Sequence, residues 1–585
     1  DYRTLNFQVF TTKDGTGNSP VGAGDLSGRP DLCDSIRSDW ICSDYWRDQD
    51  AINASPYLNQ WVGFNADNDN GKCAKVAFVV HGNQHLQPGS VVQNLINDGQ
   101  GNGLYRTLQV HDVYGGKLNL HVTPTLASAI QWAKTSSSAD AWRRTRIADG
   151  PQFNAWIKAL VASGTVHLLG STFSDHILPY FTADFDADNV RLAESFLSRI
   201  YGAQFDSASV FWPPERVVDG DVLNKIAALG FGATVIDQDS HIWNWFGRST
   251  ALGDDGYRIN RIHGVACFVI DNSVDQYKYT VYDSGPAVAL RELFNRRARS
   301  GTQDQVITLF YPWEDALTAA DAAGYDGMVR WIANHPWLRM VALDDVLAGR
   351  EDITGDGVGD AWYQINRGEP SLQKLSHDWI NHATQMNYDN WYVGNTSKES
   401  LENKRFSVRD GVSVPQPYGM LYSCGVISNA WHAVSRISNT SVLDLARSVI
   451  HASVFETAFH NEDNNNLEKY STGEYIYPAT DSEELTDFAR VAQSQSRFAA
   501  LYAYVDAWAA QAPSLAATVQ LTADVDFDGE PEYLLYNRQV CALFERIGGR
   551  MTAAWARKPN GWVVQVVGNP VCYAGSDTEN EGAYN

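Results

Sequence analysis

Short apolar runs recur along the first half of the chain: Lys75–Val80 (KVAFVV), Thr165–Ser171 (TVHLLGS), Ser207–Trp212 (SASVFW), Ala233–Asp237 (ATVID), Ala266–Asp271 (ACFVID) and Val306–Tyr311 (VITLFY). Each has the length of a strand, and segments of helical period separate them. Near-continuous apolar runs alternating with helices predict a parallel sheet covered on both faces. One intervening helix is well punctuated: Asp221 is placed to cap it, Leu223, Ile226 and Ala227 share a face, and Gly230 stops it. Repeated units of this kind over roughly 270 residues favour an α/β barrel over an open sheet, and no Gly-rich dinucleotide fingerprint follows the first strand.

The texture changes on either side of this ladder. Residues 1–70 are rich in Gly, Asp, Asn, Ser and Trp without a sustained period and read as a loop-rich cap. The barrel is expected over 71–350. A helical region is expected over 351–515, with Leu443–Phe459 (LDLARSVIHASVFETAF) as its clearest helix. The last portion, 516–585, alternates like β structure in Glu532–Asn537 and Trp562–Val567. No repeat of fixed period is visible.

Composition narrows the function. Of 585 residues, 44% are hydrophobic and 19% charged, enough apolar area for several cores. The net charge of −24 repels a phosphate backbone or an anionic membrane surface, which argues against nucleic acid and membrane as partners. No run of 18 apolar residues occurs. The seven cysteines permit three disulfides, and the sequence-close pairs Cys33/Cys42 and Cys541/Cys572 read as staples. With a chain that starts at Asp1, they suggest a mature, secreted or periplasmic protein. Nothing in the pattern sets an oligomeric state.

The chemistry concentrates at strand ends. FWPPER places Glu215 just after an apolar strand, behind Trp212 and two prolines that stiffen the backbone. YPWEDA offers Glu314 and Asp315 behind Trp313 after another strand. Two carboxylates from different strands beside aromatic rings suit glycosidic bond cleavage: one attacks or activates water, one protonates the leaving oxygen, and rings hold sugar faces. Histidines at strand ends, His81 and His85 in HGNQHLQP and His176 in LLGSTFSDHILPYF, can donate hydrogen bonds to sugar hydroxyls or, with Asp175, ligate zinc as a polysaccharide deacetylase would require. Asp237, at the end of ATVID, is a further candidate for substrate binding.

These motifs, in this order, resemble glycoside hydrolase family 57. HGNQHLQP is similar to its HxHQP signature, LLGSTFSDHILPYF to its second region, and FWPPER to its WLPE strand-four region. The resemblance implies a (β/α)7 barrel, followed by helical and β portions, that cleaves or transfers α-glucans with retention. It implies Glu215 as nucleophile and a carboxylic acid of the seventh strand as general acid. There the family pattern resembles Asp-x-Glu, whereas this chain has Glu314 followed by Asp315, so both remain candidates. His167 also stands where the family commonly has an acidic residue. An oligo- or polysaccharide is the implied partner, and a barrel that binds carbohydrate without cleaving it is the remaining alternative.

Two loops point to calcium. DITGDGVGD sets Asp352, Thr354, Asp356 and Asp360 at alternating positions around Gly357, and DVDFDGEPE repeats the pattern with Asp524, Asp526, Asp528 and Glu532 around Gly529. Oxygen ligands spaced around a glycine turn suit Ca2+ in a structural role, although neither loop has the final Glu of an EF-hand.

Overall fold

The computed structural model describes residues 73–83, 96, 103–132, 149–178, 181–243, 245–246, 253–271, 286, 288–299, 304–313, 319–335, 337–354, 356–369, 426–454, 487–523, 525, 531–546 and 548–568. The chain divides into two compact units: residues 1–171 with 193–375, and residues 172–192 with 376–585.

The first unit is built on strands β1 (Ala74–Gly82), β2 (Leu118–Val122), β3 (Val166–Leu168), β4 (Val210–Phe211), β5 (Ala233–Asp237), β6 (Ile259–Ile262), β7 (Val265–Ile270), β8 (Val306–Pro312), β9 (Leu338–Met340) and β10 (Gln364–Gly368). Seven of them form a parallel ring. β1 pairs with β2, β2 with β3, β4 with β5, β5 with β7, β7 with β8 and β8 with β1. The ring closes between β3 and β4 through a single parallel bridge, Gly170 to Phe211. The other three strands are additions: β6 forms an antiparallel hairpin with β7, β10 pairs with β6, and β9 pairs with the first residues of β1. The expected (β/α)7 barrel is therefore present.

Strand alternation sorts the side chains into two layers. Val76, Phe78 and Val80 of β1 and Ile307, Leu309 and Tyr311 of β8 face outward into a core shared with Leu104 and Leu108 of α1 (Gly103–Tyr114) and Met328 and Ile332 of the helix Ala319–Ala333. Ala77, Val79, Val210, Ala233, Val235, Phe268 and Ile270 fill the barrel interior.

The β3–β4 seam depends on a glycine. The Gly170 N–H donates to Val210 O at 3.0 Å and its carbonyl accepts from Trp212 N–H at 2.7 Å, while a Cβ there would lie 2.2 Å from the Phe231 ring. Gly170→Ala is expected to lower stability by about 1–3 kcal/mol, the usual cost of overpacking, read as a fall in urea midpoint at unchanged slope. A midpoint within error of the wild type would show that the seam tolerates a side chain.

Two expectations are corrected. The helix Gly220–Ala228 is capped by Asp219, whose carboxylate accepts from Val222 N–H at 2.8 Å; Asp221 sits within the first turn. Gly230, at φ 99°, ends it as expected. Cys541 is a free, buried thiol, pushed up to about 12 by burial, and not half of a Cys541/Cys572 pair. Cys73 and Cys267 are also free, no disulfide is found among the described residues, and Cys33, Cys42 and Cys572 lie outside them.

In the second unit the helices Val426–Val434, Thr440–Ser453 and Asp487–Gln511 accompany a five-stranded antiparallel meander, β11 (Val519–Ala523), β12 (Glu532–Tyr536), β13 (Val540–Phe544), β14 (Met551–Arg557) and β15 (Val563–Gly568), in chain order. Asn439 caps the helix Thr440–Ser453, accepting from Ser441 N–H, and Ser441 Oγ accepts from Val563 N–H at 2.8 Å, which ties helix to sheet.

Candidate active site

In a parallel barrel the C-terminal strand ends present the chemistry. The inward positions there are His81 on β1, His121 on β2, Trp212 directly after β4, Asp237 on β5 and Phe310 on β8. They form one packed group. The rings of His81 and His121 stack with centroids 4.9 Å apart, and their Nδ1 atoms are 2.8 Å apart. Trp212 stacks on His81 at 4.7 Å and on Phe310 at 5.3 Å.

Both imidazoles are neutral. Burial, with the Arg216 charge as a second cause, pushes His81 down to about 3; burial and then His81 hold His121 well below the usual imidazole range. A hydrogen bond between two neutral rings requires one Nδ1–H donor and one bare Nδ1. The tautomers are thus correlated, and the ring that donates through Nδ1 leaves its own Nε2 without a proton.

Glu215 follows on a strained turn. Glu215 has φ 50° and ψ 17°, and Arg216 has φ 51°. Consecutive non-glycine residues in the left-handed region cost on the order of 1–3 kcal/mol each and persist only where the surroundings over-determine them. Pro213 and Pro214 lead into the turn, and Arg216 N–H donates to Pro213 O at 2.8 Å. The Arg216 side chain is buried. Its Nε donates to both carboxylate oxygens of Asp237 at 2.9 Å, and its guanidinium lies 4.3 Å from the Phe310 ring centroid. Glu215 itself remains partly exposed.

The other candidates fall as follows. Asp237 is buried and engaged by Arg216, and its N–H donates to His241 Nδ1 at 2.9 Å. Trp212 and Trp313 are fully buried, and Trp313 occupies the space that a side chain on Gly82 would need, so these rings pack the mouth from within. His176, in the second unit, is buried with Nε2 2.7 Å from Asp186 Oδ1, and neighbouring Asp175 has φ 59°. His167 faces Asp344, Nδ1 to Oδ1 at 2.8 Å. His85, Glu314 and Asp315 lie outside the described residues, although 314 and 315 follow closely on the end of β8.

Three site residues escape a reading by motif. His121 sits in LNLHV, whose polar inward positions break the apolar run; strict alternation over those five residues was the available signal. Arg216 reads in sequence as a surface partner for Glu215, whereas its partner is Asp237. His241 carries no motif at all.

In the first Asp-rich loop the acidic side chains converge. Asp352, Asp356 and Asp360 place carboxylate oxygens within 4.8 Å of one another, Gly357 N–H donates to Asp352 at 2.8 Å, and Gly357 adopts φ 86° at the turn. Thr354 Oγ1 donates to Asp360 at 3.2 Å. In the second loop Asp524, Asp526 and Asp528 lie outside the described residues, and Glu532 accepts from Val525 N–H at 2.8 Å.

Barrel and mouth together define a (β/α)7 domain whose C-terminal strand ends carry a packed group of polar and aromatic side chains. Residues 102–333 match the model of glycosyl hydrolase family 57, which bears out over that span the resemblance drawn from the motifs. No curated protein matches the chain. Among solved structures it is similar to a 4-alpha-glucanotransferase from Thermococcus litoralis, with 13% identity and TM-score 0.41, covering 84% of this chain and 68% of that one. It is also similar to a GH57-type branching enzyme from Pyrococcus horikoshii, with 9% identity and TM-score 0.40, covering 73% and 94%. The alpha-amylase AmyC from Thermotoga maritima is similar at 11% identity and TM-score 0.38, covering 74% and 97%.

Proposed function

We propose that this protein is a retaining glycoside hydrolase or transglycosylase acting on α-linked glucans, with Glu215 as nucleophile and Glu314 or Asp315 as general acid. The observation that carries the reading is the strained turn at the end of β4, inside the segment that matches the family, which leaves Glu215 partly exposed at the barrel mouth while its neighbours are buried. In the first step the Glu215 carboxylate attacks the anomeric carbon as the acid protonates the departing glycosidic oxygen. In the second the same acid, now a base, takes a proton from water or from an acceptor sugar, which displaces Glu215 and restores the starting configuration. His81 and His121, buried and held toward the neutral form, place no cationic charge beside the nucleophile. Product analysis on a panel of α-glucans tests the proposal. Chain shortening or glucan transfer supports it, and release of acetate from acetylated glycans without glycosidic cleavage would favour a deacetylase instead.

We propose that the Asp352–Asp360 loop holds a structural Ca2+, and by sequence likeness the Asp524–Glu532 loop a second. Three carboxylates so close together repel one another, and a divalent cation relieves that repulsion. Calcium at a hundredfold excess over Kd stabilises by about 2.7 kcal/mol, so chelation should lower the melting temperature and leave turnover of still-folded protein intact. An unchanged melting temperature on chelation would refute it. Export from the cell, where calcium is abundant, fits the same reading.

A further inference from the structure

We infer that Arg216 is the positioning residue of this active site: its buried clasp to Asp237 holds the strained turn that presents Glu215. The inference rests on the proposed role of Glu215 and adds the device that keeps it in place.

Local sequence cannot hold this turn. The hydrogen bonds inside it, Arg216 N–H to Pro213 O at 2.8 Å and Val217 N–H to Pro214 O at 3.1 Å, close a single tight loop, which an ordinary right-handed backbone would close as well. Two successive side-chain-bearing residues at φ 50° and 51° need an anchor from outside. The Arg216 side chain supplies it. Asp237, the last residue of β5, accepts from Arg216 Nε through both oxygens at 2.9 Å, and its own N–H is tied to His241 Nδ1. The guanidinium also lies over Phe310 of β8 at 4.3 Å and 5.9 Å from the Trp212 ring. One side chain therefore joins the ends of three barrel strands. Arginine and aspartate are 5% and 1% exposed, so the pair is shielded from competing water. A lysine would keep the charge but lose the planar fork and the stacking.

Arg216→Lys separates positioning from folding. It should reduce kcat by about 100-fold, the order expected for a misplacement near 1 Å, with KM changed by less than about threefold and a melting temperature within a few degrees of the wild type. In its crystal structure residue 215 should relax to negative φ. If that variant does not fold, Asp237→Asn, which keeps shape and removes one charge, is read in the same two ways. Wild-type kcat, or φ near 50° at residue 215 in the variant, would overturn the inference. Glu215→Gln is assayed alongside. Retained turnover there would refute the nucleophile reading, whereas the backbone change in Arg216→Lys is seen in the crystal whatever the assay gives.

Discussion

Glu215→Gln is expected to lose at least about 10³-fold in turnover on α-glucans while keeping the fold, because the amide matches the carboxylate in volume but cannot attack the anomeric carbon. Melting temperature and circular dichroism should stay close to those of the wild type, since Glu215 is partly exposed and the turn is anchored through its neighbour. Substrate binding should survive, so an affinity measured by calorimetry on the inactive variant should remain near the wild-type KM. A variant that keeps more than a few per cent of wild-type activity would remove Glu215 from the nucleophile role.

The second large effect concerns the acid. Glu314 directly follows Trp313, and Asp315 precedes ALTAADAAG, a helix-like stretch that would use an aspartate as its cap. Replacing the true acid by its amide should depress turnover of glucans with poor leaving groups by about 10²–10⁴-fold. Activated aryl glycosides, whose leaving groups depart without protonation, should be far less affected. Glu314→Gln is expected to show this dependence on leaving group. If Asp315→Asn shows it and Glu314→Gln does not, the acid is the aspartate that the family usually employs.

Much of the barrel could be read from the sequence because its outer layer is predominantly apolar. The runs at Lys75–Val80, Ala233–Asp237 and Val306–Tyr311 coincide with strands to within two residues at either end. β2 escaped because Asn119 and His121 point inward: the Asn119 side-chain amide donates to Phe78 O at 2.9 Å, and its Oδ1 accepts from Leu343 N–H at 2.8 Å. A strand that lines a site loses the apolar signature that reveals strands elsewhere. Glu215 was legible for a local reason, two prolines and a glutamate at a strand end. The Arg216–Asp237 clasp was not, because its partners are 21 residues apart and meet only once β4 and β5 pair side by side. Asp219, and not Asp221, caps the following helix because the helix begins two residues earlier than the apolar period suggests, at Gly220.

The most direct test is to trap the covalent intermediate. The wild-type protein is incubated with a fluorinated α-glucosyl donor whose glycosyl-enzyme turns over slowly, then digested and mapped by mass spectrometry. One added glycosyl unit is expected on the peptide that contains FWPPER, localised by fragmentation to Glu215. A stable label on any other residue, or hydrolysis of the donor with inversion and no label at all, would contradict it.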